Sequence, residues 1–149
     1  MKIAAIVVLV LVTISPATAS PPVDELFRAF DLFGNWARDC DQTATPDNPH
    51  VAITMPSSGL VLEDYDLGPD FEMNRYSVLL AERRSATRLQ VSVIFQPGTQ
   101  NEERQKLVFL IRNGTRRTMF NQPEGGAVRV KDGIALPYHV KTPVLRKCE

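Results

Sequence analysis

Asp64-Tyr65-Asp66-Leu67-Gly68-Pro69-Asp70-Phe71-Glu72 sets four carboxylates close together on a turn-rich stretch, the oxygen supply a calcium ion takes from a curved loop. The stretch departs from the EF-hand frame, with Pro69 where the sharp-turn Gly belongs and Arg75 in place of the bidentate Glu. A solvated connection is the better reading. Asp64, Asp66, Asp70 and Glu72 stay as the one calcium alternative, and no cofactor is expected. His50 and His139 lack the spacing of paired metal ligands. Ser57-Ser58-Gly59 lacks the Gly-x-Ser-x-Gly frame of a nucleophile elbow, and no Gly-rich phosphate loop occurs. A nucleophilic thiol at Cys40 or Cys148 would need a nearby base, which only the two histidines offer. No acid, base and nucleophile converge, so an enzyme is not expected. Asn113-Gly114-Thr115 spells a glycosylation acceptor, but its fit to a tight hairpin makes a turn the better explanation.

The N-terminus instead suggests export, and with it a different role for the cysteines. Residues 1–19 carry Lys2, an apolar run from Ile3 to Val12, and the small-x-small site Ala17-Thr18-Ala19, which together read as a secretory signal peptide. The run is short of the roughly 20 residues a membrane span needs, so no membrane span is expected. A periplasmic or secreted location follows, and in that oxidising compartment Cys40 and Cys148 should pair as a disulfide. Residues 20–149 then form one domain. The chain has 17 basic and 17 acidic side chains, and Lys2 leaves with the signal, so the mature net charge is near −1. That balance argues against nucleic acid as a partner, because counterion-driven binding needs a basic excess.

Two periodicities position these residues. After Pro21-Pro22, apolar residues at Val23, Leu26, Phe27, Phe30 and Phe33 follow one helical face, with Asp24 and Glu25 in the first turn. The spacing predicts a short amphipathic helix over 23–33, ended by Gly34. From residue 35 onward the period is two. Leu89, Val91, Val93 and Phe95 alternate with polar or mixed positions, and Asn113-Gly114 joins two strands as a type I′ hairpin. Asp132-Gly133 repeats that device more weakly. About eight or nine strands follow one another through short links, so the sheet should be antiparallel throughout. The fold expected is an all-β, up-and-down meander closing into a small barrel, with a two-sheet sandwich as the alternative; every link looks local, which favours the barrel. Closure would set the first strand beside the last and bring Cys40 to Cys148.

The short helix running into Gly34-x-Trp36 resembles the lipocalin and fatty-acid-binding type of calycin barrel. That resemblance implies a Trp packed over the closed end against a late Arg, for which Arg112, Arg129 and Arg146 are candidates. More broadly, the Gly34-x-Trp36-x-x-x-Cys40 opening and the Lys147-Cys148 ending are similar to small exported proteins of Gram-negative bacteria, a likeness that implies no particular activity. In a barrel the inward set should include Trp36, Val51, Ile53, Leu60, Leu62, Tyr76, Val78, Leu80, Leu89, Val91, Val93, Phe95, Leu107, Phe109 and Ile111. Such a lining suits either solid packing or one small apolar ligand. Trp36, Arg38, Tyr76, Phe95 and Phe109 are the candidate ligand contacts, and Arg38 with Asp64 could form a charged pair, or hold a ligand carboxylate, at the mouth. The function expected is a non-enzymatic, secreted or periplasmic barrel binding a small hydrophobic molecule. The alternative is a packed interaction module, such as a protease inhibitor or envelope factor, with an exported protein as partner.

Overall fold

A computed structural model describes residues 21–149; the signal-peptide reading of residues 1–19 lies outside them. The helix α1 spans Val23–Ala29, shorter than the apolar spacing predicts. Its end is a Schellman turn. The Leu32 N–H donates to Phe27 O and the Asp31 N–H to Arg28 O, with Asp31 at a φ of 52°. Asp31 therefore takes the left-handed position expected of Gly34. Phe27 and Leu32, the residues that flank this turn, are both fully buried.

Eight strands form the closed barrel: β1 (Gly34–Ala37), β2 (His50–Ser57), β3 (Leu60–Asp66), β4 (Asn74–Ser85), β5 (Arg88–Phe95), β6 (Glu103–Arg112), β7 (Thr115–Pro123) and β11 (Val144–Lys147). All pairings are antiparallel, and the seam closes where β1 meets β11, with Trp36 opposite Lys147 and Ala37 opposite Arg146. Asn113 and Gly114 have φ values of 52° and 68°, as a type I′ turn requires. Asp132 and Gly133 repeat the geometry, but their strands, β8 (Val130–Lys131) and β9 (Ile134–Ala135), are not staves of the barrel. With β10 (Val140–Lys141) they form a branch off β7, which pairs with β11 through Thr115 to Arg117 and with β8 through Phe120 and Asn121. The outer edge of that branch is only two residues long and carries Lys141, which limits pairing with other chains.

Cys40 and Cys148 are bonded, with Cα atoms 5.7 Å apart although they stand 108 positions apart in sequence. The bridge joins the segments just beyond β1 and β11, at the barrel seam. Among the described residues, no helix is long and apolar enough to cross a membrane.

Most of the expected interior is buried, including Trp36, Val51, Ile53, Val78, Leu89, Val91, Val93, Leu107, Phe109 and Ile111. Three positions are corrected. On β3 the inward residues are Val61 and Glu63, so Leu60 and Leu62 point away from the core. Leu60-Val61-Leu62 is apolar at both parities, so alternation alone did not fix the phase. A register shift between Thr54 and Ser57 loosens the β2–β3 pairing at the same place. On β4 a bulge between Val78 and Leu80 switches the parity; Ala81 packs against the core and Leu80 is 67% exposed. The helix lies against β3 and β4, with Phe30 under the Arg83 guanidinium at 4.3 Å, and fills the end of the barrel where the Asn113-Gly114 hairpin turns. Tyr65 and Tyr76 belong to the opposite ends of those two strands.

Candidate ligand site

The polar centre of the barrel is built from facing positions of four strands. In the Asn113-Gly114 hairpin, Arg116 of β7 stands opposite Ile111 of β6, and partners across a ladder share a face; with Ile111 inward, Arg116 must be inward as well. Its other neighbour is Leu145 of β11, also buried. Arg116 is 1% exposed and meets Glu63 of β3, its Nη2 donating to Glu63 Oε2 at 2.6 Å and to the Tyr65 hydroxyl at 2.7 Å. That hydroxyl donates in turn to Glu63 Oε2 at 3.2 Å. The Arg116 guanidinium carbon sits 4.2 Å from the Phe109 ring centroid, where the ring face attracts a cation.

Burial works against the Arg116 charge, but Glu63, together with Tyr65 and Tyr76, outweighs it. The guanidinium is held above its ordinary value. Burial raises the Tyr65 phenol well above its usual range, although Arg116 pulls the other way. Burial, with Glu63 adding to it, pushes Tyr76 to about 12. Both phenols are therefore neutral near physiological pH, and the Tyr65 O–H is the donor that Glu63 accepts.

A second polar chain runs along the mouth. Arg129 clamps Glu103 through both carboxylate oxygens and holds its carboxyl below the usual range. Glu103 Oε1 accepts from Gln105 Nε2 at 2.6 Å, and Gln105 Oε1 accepts from Asn121 Nδ2 at 2.7 Å. A carboxylate only accepts, so this chain fixes both amide orientations and leaves Asn121 Oδ1 turned away from Gln105. Among the described residues, three buried side-chain polar atoms then have no partner: Asn121 Oδ1, Arg116 Nη1 and Glu63 Oε1. Leaving such groups unpaired costs roughly 1–3 kcal/mol each, so each needs an explanation.

Two of them belong to residues that line a cavity of about 250 Å³ at this end of the barrel. Tyr65, Tyr76, Leu107 and Leu145 form its walls, and Pro46, Pro49, Leu67, Val130 and Pro143 its rim. The branch closes one side. Arg117 donates to Gly133 O at 2.6 Å and to the Thr142 hydroxyl at 3.1 Å, and that hydroxyl donates to Thr118 O at 2.7 Å. A larger groove of about 380 Å³ lies along the outer wall beside Leu79 and Leu80, and none of the three unpaired residues lines it.

Of the residues singled out from the sequence, Tyr76 lines the cavity, Phe95 packs behind it with ring centroids 5.1 Å apart, and Phe109 lies beneath Arg116. Trp36 is elsewhere, at the helix-capped end, donating from Nε1 to Leu32 O at 2.8 Å. Its cationic neighbour is Lys147, 5.9 Å from the ring, rather than a late arginine; Arg146 faces Asp39, and Arg129 faces Glu103. Arg38 is exposed, which removes the charged pair expected at the mouth. The strand stops at Ala37 because the Asn48 side chain takes over the next backbone groups, bonding Asp39 N–H at 2.8 Å and Asp39 O at 3.0 Å. Asp64 is on the outer face in a bidentate pair with Arg75, at 2.7 and 2.8 Å. Asp66 accepts the Gly68 N–H, while Asp70 and Glu72 are exposed. Among the described residues, no group of three or more His, Cys, Asp or Glu is placed to hold a metal ion. The carboxylates of the calcium alternative are thus spoken for or dispersed.

Glu63, Arg116, Gln105 and Asn121 escaped the sequence reading, although two signals were there. Gln105 continues the parity of Leu107, Phe109 and Ile111, and the two-residue hairpin ties Arg116 to Ile111. Comparison of the chain with protein-family models, with curated proteins and with solved structures gives no match.

Proposed function

We propose that this protein is an exported, non-enzymatic barrel that binds one small, largely apolar molecule in the cavity opposite the helix. The observation that carries the reading is a cavity of about 250 Å³ whose lining sets a few polar side chains, Arg116, Arg117 and Asn121 among them, beside tyrosine rings, leucines and prolines. A few placed polar groups in an apolar concavity is the usual make-up of a small-molecule site. Export is supported by the leader-like residues 1–19 and by the Cys40–Cys148 bond, which persists in an oxidising compartment. The calycin resemblance supports ligand capture in the barrel mouth, with the helix packed at the other end.

Native mass spectrometry of the oxidised mature domain, purified without organic solvent, tests this directly. The expected result is a retained small molecule that is lost in Thr118→Phe, a variant that fills the cavity from a lining position while the barrel still unfolds cooperatively. A bound ligand at a concentration of 100 Kd adds about 2.7 kcal/mol, a melting shift on the order of 10 °C. Retention of nothing by the wild type, with no such shift from any compound of an apolar small-molecule panel, overturns the reading.

A further inference from the structure

We infer that a second copy of this chain docks on the outer wall of the barrel. The loop Asp70-Phe71-Glu72-Met73 of one molecule seats in a basic-rimmed trough on β5 to β8 of the next. The inference is independent of the cavity at the mouth.

The trough follows from the ladder. Partners across a ladder share a face, and the outward row Gln90, Val108, Phe120 and Lys131 crosses from β5 through β6 and β7 to β8. Because β8 belongs to the branch, the row continues past the barrel wall, and a hollow of about 450 Å³ lies along it. Val108, Phe120 and Val128 line it, with Met119, the extra residue of the β6–β7 bulge. Around that apolar lining stand Arg88, Lys106 and Lys131, against the one carboxylate of Asp132. All three cations are exposed, and among the described residues none is in an ion pair. Glu82, opposite Gln90 on β4, is already held by Arg84 at 2.8 Å. An apolar hollow ringed by unpaired cations selects a partner that brings carboxylates and apolar side chains together.

The loop between β3 and β4 brings both. Phe71 and Met73 are 53% and 52% exposed, and Asp70 and Glu72 beside them are exposed and, among the described residues, in no ion pair. Local contacts hold its shape. Asp66 accepts the Gly68 N–H at 2.8 Å, the Phe71 N–H donates to Gly68 O at 3.1 Å, and a Cβ on Gly68 would lie 2.6 Å from Ala44 O. A loop already ordered loses little further entropy on docking.

The loop and the trough belong to opposite walls. In the ring of eight staves β2 lies four places from β6 in either direction, and β3 four from β7. Met73 borders a hollow with Ala52 of β2 and Asp64 of β3, so the loop sits on the β2–β3 side. The contact therefore joins one copy to another, head to tail, and leaves a loop and a trough free for further copies unless a ring closes. A four-residue tip covers little area, which places the contact among weak, transient ones.

Sedimentation velocity of the full mature chain, disulfide intact, from about 10 μM to about 1 mM at low salt tests this. The average mass of the wild type should rise with concentration and fall back toward the monomer in about 1 M salt, where the screening length is about 3 Å. Asp70→Ser/Phe71→Ser in the loop and Lys106→Glu/Lys131→Glu in the trough should each weaken self-association at least about tenfold. All four positions are exposed, so both variants should keep the wild-type melting temperature. Mixed together, they offer one intact loop and one intact trough, and should form a one-to-one complex of wild-type strength that grows no further. A wild type that stays monomeric, variants that associate as the wild type does, or a mixture of the two folded variants that stays monomeric overturns the inference. So does a monomeric wild type that binds vesicles of anionic phospholipid and loses them in Lys106→Glu/Lys131→Glu, which would give the trough to a lipid surface.

Discussion

Glu63→Leu strands the Arg116 charge inside the barrel, and the size of that penalty tests the account of the polar centre. The two side chains are 1% and 3% exposed and 2.6 Å apart. At an effective dielectric constant of about 20, charges roughly 4 Å apart attract by about 4 kcal/mol. Removing one partner of a buried pair costs about 3–5 kcal/mol, because the surviving charge keeps its desolvation penalty. With Arg116 only 1% exposed, the cost should reach at least the lower figure, about 3 kcal/mol. That is a large part of the roughly 5–15 kcal/mol that holds a domain folded, and it should lower the melting temperature by on the order of 10 °C. The double variant Glu63→Leu/Arg116→Met removes both charges and should recover most of the loss, since apolar replacement of a whole buried pair is neutral or stabilising. Urea unfolding of the four proteins of the cycle, followed by circular dichroism with the disulfide intact, gives the coupling energy. A Glu63→Leu loss below about 1 kcal/mol, or a double variant whose loss is the sum of the two single ones, would refute the reasoning that this pair is a buried, mutually dependent unit.

Two further outcomes follow from the same structure. Replacing Cys40 and Cys148 by Ser opens a loop spanning 108 positions; the chain-entropy model puts the loss at up to about 4.7 kcal/mol, and denaturant midpoints should fall while the unfolded barrel still refolds to the same circular dichroism spectrum. An unchanged midpoint would show that the bridge does not restrain the unfolded chain. Tyr76 has a folded-state pKa of about 12 against an ordinary 10.0, so its contribution is fully present below pH 10.0 and is lost as pH rises through about 12. At about 1.36 kcal/mol per unit the loss is roughly 2–3 kcal/mol. Phenolate absorbance in wild type and Tyr76→Phe, titrated alongside stability, checks it, and a Tyr76 that ionises near its ordinary value would contradict its burial.

The elements of this fold were legible wherever the cause was local. Asn113-Gly114 tolerates positive φ and so announces its hairpin, and the Leu89 to Phe95 alternation announces a half-buried strand. The Val23 to Phe30 spacing announces a helix, although its end was misjudged because Asp31, not Gly34, adopts the left-handed turn. With only two cysteines the bridge had a single possible pairing once both were taken to be oxidised.

The polar centre is different in kind. Hydropathy sends Glu63 and Arg116 to the surface, and each is tolerable inside only because the other is there, 53 positions away in sequence. Leu60-Val61-Leu62 offered both faces of β3 to the core, and the choice was made by the strands on either side. From the sequence alone come a barrel of about eight strands, their antiparallel order, the helix that precedes them and the clasp at the seam, because turn chemistry, periodicity and cysteine count act between near neighbours or admit one solution; the branch of β8 to β10 does not come from it. Tertiary structure alone decided which residues meet in the interior: closing the sheet brings together side chains from β3, β4, β6 and β7, and whether a buried charge or amide is paired depends on all of them at once.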